Sequence, residues 1–208
     1  MRSAVLWLGF LLGLRHAFEA DHLAAVTSLS TRLGRRRDML RVAFAWGLGH
    51  TLTLTLVGTI LVAAGVVWSP DGRWARAGEW LAGGVLVWLG ADALRRALGP
   101  SRTAADDATV APALASRALV VGGLHGMEGS GAVVLVALPA LRSTGAAFLY
   151  LGLFGAGAIL GMLASSLLLS LPLGFAARRW AWSTRALQLA VGLTSVAIGT
   201  EILLGATR

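Results

Sequence analysis

Residues 3–30 begin with the apolar run Ala4-Val5-Leu6-Trp7-Leu8-Gly9-Phe10-Leu11-Leu12-Gly13-Leu14, pass through Arg15-His16-Ala17-Phe18-Glu19-Ala20-Asp21-His22, and return to apolar sequence. The stretch exceeds the roughly 20 residues needed to cross about 30 Å of hydrocarbon. Its centre nevertheless holds Arg15, His16, Glu19, Asp21 and His22. Ionisable groups at membrane depth are costly unless they pair, ligate an ion or face water, so a cluster of this kind is read first as a functional site.

The rest of the chain has the same character. Its 208 residues are 56% hydrophobic and 13% charged, with a mean hydropathy of +0.74. So short a chain has too little interior to hide that much apolar surface, which excludes a soluble domain. The net charge is +8, and all 18 basic residues are arginines. Most sit between apolar runs, where they act as orientation signals. No nucleic-acid-binding module accompanies them, so nucleic acid is excluded as a partner. The absence of cysteine removes disulfide scaffolds, thiolate metal sites and iron–sulfur clusters. The chemistry falls to oxygen and imidazole.

Six apolar stretches are long enough to span a bilayer: residues 3–30, 40–68, 79–98, 117–138, 145–171 and 184–205. The first carries no small-residue cleavage site and is read as a retained span. The breakers fall between the stretches, among them Ser69-Pro70-Asp71-Gly72 and the Ala-, Thr- and Asp-rich segment 99–116, which reads as a flexible linker. The loops on one side hold twelve arginines against five on the other. Positive residues stay in the cytoplasm, so both termini are expected outside.

The two halves resemble one another. Leu14-Arg15-His16-Ala17-Phe18-Glu19 lies over Gly123-Leu124-His125-Gly126-Met127-Glu128, and Gly90 lies over Gly199. With three spans in each half, the second copy must insert upside down. The fold expected is therefore all-α: a polytopic membrane bundle of six helices in a 3+3 inverted repeat. Residues 1–208 form one transmembrane domain, with a first repeat over 1–98, a cytoplasmic linker over 99–116 and a second repeat over 117–208.

All four histidines, His16, His22, His50 and His125, fall inside the expected spans. His22, His50 and His125 each lie eight or nine residues from the cytoplasmic arginine borders, about 12–14 Å deep at 1.5 Å per residue. His16 lies about 9 Å further out on a straight helix. Such a helix cannot aim His16, Glu19, Asp21 and His22 in one direction. Either a kink or unwound turn near Gly13 brings them together, or only a subset ligates. Imidazoles with carboxylates and no thiolate suit Ni²⁺, Co²⁺ or Zn²⁺. Arg15 reads as a counter-ion to Glu19 or Asp21, since a guanidinium cannot ligate a cation. Asp92 is expected to pair with Arg95 and Arg96 one turn on. The tryptophans read as an aromatic belt.

Three motifs carry a family resemblance: Arg15-His16-Ala17-Phe18-Glu19-Ala20-Asp21-His22, a His-x4-Asp-His pattern; Leu48-Gly49-His50-Thr51; and Gly123-Leu124-His125-Gly126-Met127-Glu128-Gly129-Ser130. In this order they resemble the nickel/cobalt transporter family, NicO. The resemblance implies an inner-membrane permease for Ni²⁺ or Co²⁺, with His16, Asp21 and His22 as first contacts and His50 on the same path. Glu19 stands where the family pattern usually has Asp, and Glu128 adds a carboxylate where many short relatives are apolar. The metal-site candidates are therefore His16, Glu19, Asp21, His22, His50, His125 and Glu128. The ion is substrate and no cofactor is expected. The remaining partners are membrane lipid and, as an open option, further copies of the chain.

Other functions make different demands. An exporter of small anions or amino acids on a related scaffold leaves the histidines unused. An intramembrane zinc hydrolase needs two histidines at i and i+4 on one helical face, whereas His16 and His22 stand at i and i+6. A haem protein needs histidines facing one another across helices and a coloured preparation. The expected protein is a carrier and not an enzyme.

Overall fold

The computed structural model describes residues 2–30, 33, 35–64, 72–99, 104–127, 143–179 and 183–205. These residues form seven helices: α1 (Arg2–His16), α2 (Ala20–Ser30), α3 (Arg36–Ala64), α4 (Arg73–Leu98), α5 (Ala104–His125), α6 (Thr144–Arg179) and α7 (Ser183–Gly205). The protein is all-helical. Among the described residues, three helices are long and apolar enough to cross a membrane: α3, α6 over Thr144–Ser170, and α7 over Arg185–Gly205. α4 is 26 residues long, but Arg73, Arg76, Glu79, Asp92, Arg95 and Arg96 dilute its apolar character.

Several expected boundaries move. The span read over 3–30 is two helices. Gly13 is not its hinge: the break falls at residues 17–19, where no glycine or proline stands. There the amides of Phe18 and Glu19 turn back to the carbonyls of Arg15 and His16 (2.9 and 3.0 Å), and Leu23 N–H to Glu19 O (3.0 Å) begins the ladder of α2. The span read from Glu79 begins at Arg73. The segment 99–116, read as a flexible linker, is helical from Ala104, in keeping with the high helix propensity of its alanines. α5 ends at His125, and the remainder of the span read over 117–138, with Glu128, lies outside the described residues.

Large apolar side chains cover much of the exterior. Trp7, Leu8 and Leu11 on α1, Leu52, Leu56 and Ile60 on α3, and Leu160 and Leu168 on α6 are exposed, while all four histidines and Asp21 are buried. This distribution suits a lipid exterior, with a small polar cluster enclosed in an otherwise apolar core.

Backbones approach closely where glycines replace side chains. A Cβ on Gly13 of α1 would overlap Phe154 O of α6, and one on Gly122 of α5 would overlap Trp46 O of α3. Gly13 and Gly122 each stand three residues before a histidine, His16 and His125. α4 and α7 meet through glycines as well, where Gly83 faces Gly199 O and Gly192 faces Gly90 O. α1 thus packs on α6 and α5 on α3, while α3 packs on α6 and α4 on α7. Small residues at such contacts favour tight helix packing in lipid.

α2 is held between α4 and α7. Ser28 Oγ lies 2.9 Å from Ser195 Oγ of α7. Arg96 of α4 donates to Ser28 O (3.3 Å) at the carboxyl end of α2. Arg96 and Arg95 also hold Asp92, as expected, with Arg95 at 2.8 Å.

Candidate metal site

The break at residues 17–19 builds the site. It ends α1 at His16 and starts α2 one residue before Asp21 and His22, so side chains that a continuous helix would fan apart turn toward one another. The His16 and His22 ring centroids lie 4.3 Å apart. α3 supplies His50, whose ring lies 5.1 Å from both His16 and His22. α5 supplies His125, 4.5 Å from His22. His22 and His125 are fully buried, and His50 and His16 are 1% and 4% exposed.

Donor atoms form two overlapping groups, His16–His22–His50 and Asp21–His22–His125. Within each, the candidate ligand atoms lie within 4.8 Å of one another. His16 Nε2 faces His50 Nε2 at 3.3 Å. Tetrahedral coordination with metal–nitrogen bonds of about 2.0–2.1 Å puts two ligand nitrogens about 3.3–3.4 Å apart, so this edge already has the required length. His125 Nε2–H donates to Asp21 Oδ2 (2.7 Å). That oxygen also lies 3.0 Å from His22 Nδ1. His22 Nε2 has no hydrogen-bond partner among the described residues. A buried imidazole in that condition costs folding free energy and is suited to accept a cation.

Glu19 is in neither group. His16 Nδ1–H donates to Glu19 Oε2 (2.9 Å), and the Glu19 side chain is 43% exposed. Placed outside the cluster, the ionised carboxylate can only accept, which puts the His16 proton on Nδ1 and leaves the Nε2 lone pair facing His50. Arg15, expected as a counter-ion, is exposed and makes no ion pair with Glu19 or Asp21. Glu128 lies outside the described residues.

Two walls of the site were not visible in the sequence. Phe154 of α6 packs its ring 5.5 Å from His16, and Trp46 of α3 lies 5.4 Å from His125. Trp46 is fully buried, so it is not part of the aromatic belt. Phe154 and Trp46 are also the residues whose carbonyls meet Gly13 and Gly122.

Helix ends add to the field. α1 and α5 both end at a site histidine, and each turns off through the same pair of backbone bonds: Ala17 to Gly13 and Phe18 to Arg15 in α1, Gly126 to Gly122 and Met127 to Leu124 in α5. Helix carboxyl ends carry roughly half a negative charge each, favouring a cation between them.

The objection to a hydrolase from i, i+6 spacing holds only for an unbroken helix, since the break does bring His16 and His22 together. The comparisons with known proteins decide the class. A family model described as high-affinity nickel-transport protein (NicO) matches residues 3–78, a segment containing His16, Asp21, His22 and His50. The urease accessory protein UreH of Bacillus sp. (strain TB-90) is 32% identical over 188 residues, covering 85% of this chain and 80% of that protein. The nickel transporter NixA of Staphylococcus aureus is 38% identical over 65 residues, covering 31% of this chain and 19% of that protein. The cobalt transport protein NhlF of Rhodococcus rhodochrous is 43% identical over 60 residues, 28% of this chain and 16% of that protein. No solved structure matches the chain. Fold and site define a helical membrane protein with buried imidazole and carboxylate groups. The chain belongs to the nickel/cobalt transporter family, NicO.

Proposed function

We propose that this chain carries Ni²⁺ or Co²⁺ across the inner membrane as a permease, with His16, Asp21, His22, His50 and His125 as the ligands that replace the ion's water. The observation that carries the reading is the burial of four imidazoles and one carboxylate, drawn from four different helices, in two overlapping groups whose donor atoms lie within 4.8 Å of one another. Nitrogen and oxygen donors without thiolate match the preferences of these ions. Glu19 steadies His16 from behind. The ion is cargo, so no resident cofactor is needed, and the transporter family speaks for a carrier and against an enzyme.

The six-span 3+3 inverted repeat, with one repeat over 1–98 and the other over 117–208, remains our reading of the architecture. It is supported by the close contacts at Gly13 and Gly122, each three residues before a histidine, and by the two helices that end at His16 and His125. The ion then moves by alternating access around a site at the interface of the halves. The arginine distribution supports termini outside. An exporter of small anions or amino acids would leave the histidine cluster without a use.

The test is uptake of radioactive nickel and cobalt into membrane vesicles of both orientations, with and without a pH gradient. The unsubstituted chain should transport at least one of the two ions, and His16→Ala, Asp21→Ala and His22→Ala should each abolish that transport. Unchanged metal handling in all three rejects the proposal.

A further inference from the structure

We propose that the transported ion is held in turn by two coordination sets that share one residue: His16–His22–His50, with three nitrogens, and Asp21–His22–His125, with two nitrogens and an oxygen. The inference rests on the metal-carrier reading and adds a step to it.

The two groups have His22 in common. A neutral imidazole has one lone pair free for a metal, because its other ring nitrogen carries the proton. His22 can therefore serve one ion at a time, and the two sets exclude one another. The remaining members come from different helices: His16 and His50 from α1 and α3, Asp21 and His125 from α2 and α5. His22 lies between them, its ring 4.3 Å from that of His16, 5.1 Å from that of His50 and 4.5 Å from that of His125. Each outer pair is already in contact, His16 with His50 at 3.3 Å and His125 with Asp21 at 2.7 Å. Either pair can close on an ion that His22 retains, so the ion exchanges two ligands without losing the third and never returns to water between the two positions. The two positions differ in charge and donor type, three neutral nitrogens against two nitrogens and a carboxylate oxygen, so an ion at each has a distinct signature.

The test uses the full chain in lipid nanodiscs with Co²⁺ alone as probe, whose visible absorption reports donor type and geometry. His125→Ala should confine the ion to His16–His22–His50, and His50→Ala to Asp21–His22–His125. Each variant should still bind one Co²⁺ per chain, and the two spectra should differ. Both variants should lose transport in proteoliposomes, and His22→Ala should lose binding. His16→Ala and Asp21→Asn provide second members of each set in case a first variant fails to fold. His16→Ala should reproduce the His50→Ala spectrum, and Asp21→Asn should keep the ion on the three-nitrogen set. Loss of binding in all single variants would mean one undivided cage and overturn the inference. Two Co²⁺ per chain, or full transport by either the His50→Ala or the His125→Ala variant, would overturn it as well. Absence of Co²⁺ binding by the unsubstituted chain would instead overturn cobalt as cargo, and with it this inference.

Discussion

Removal of the Glu19 carboxylate separates a residue that holds a ligand from one that is a ligand. Glu19 Oε2 accepts from His16 Nδ1 at 2.9 Å, on the side of the ring away from His50. Loss of a carboxylate behind a metal-binding imidazole weakens metal binding by about 10- to 100-fold, or about 1.4–2.7 kcal/mol. The Glu19 side chain is 43% exposed, so water can replace part of its contact. The expected effect of Glu19→Ala is therefore at the lower end, about tenfold. Glu19→Gln should weaken binding less, because the amide oxygen can accept the same hydrogen bond without the charge. His22→Ala removes a member of both groups and should exceed the roughly 100-fold ceiling of a supporting contact. Titration calorimetry of Ni²⁺ into the chain in nanodiscs measures all three. If Glu19→Ala is as damaging as His22→Ala, Glu19 binds the ion directly and the placement argued here is wrong. If its affinity is unchanged, Glu19 does not orient His16.

Two other expectations test the packing that positions the site. Gly13→Val and Gly122→Val drive a side chain into the backbone of α6 or α3, and overpacking of this kind costs about 1–3 kcal/mol. Both should lower the thermal unfolding temperature in detergent and weaken Ni²⁺ binding, while Gly84→Val, with open space around the new side chain, should do neither; equal effects at all three positions would contradict the close-contact account. Trp46 stands 5.4 Å from His125, so Co²⁺ should quench part of the tryptophan fluorescence, and that part should vanish in Trp46→Phe; an unaltered quench in the variant would place the ion elsewhere.

The clustered residues were legible because histidines and carboxylates stand out in apolar sequence, and three motifs placed His16, Asp21, His22, His50 and His125 on segments expected to converge. The geometry that joins them was less so. The turn at residues 17–19 has no local breaker, and its backbone bonds form in the tertiary context of α1 packed against α6. Helical spacing therefore argued for a fan of side chains where a cluster exists. Glu19 shared the ligand-like neighbourhood of Asp21, and only its position behind the His16 ring separates the two. Residues 99–116 read as a linker from their polar residues, yet the alanines among them carry α5 from Ala104 onward. Trp46 was hidden by the general habit of tryptophan to sit at membrane interfaces, whereas here it fills the wall beside His125.

X-ray absorption at the metal edge of the nickel- or cobalt-loaded chain tests the central claim most directly. The account predicts nitrogen and oxygen neighbours at about 2.0–2.1 Å, with the outer scattering of at least two imidazole rings and no sulfur. A shell of oxygen alone without ring scattering, or one containing methionine sulfur, would contradict it.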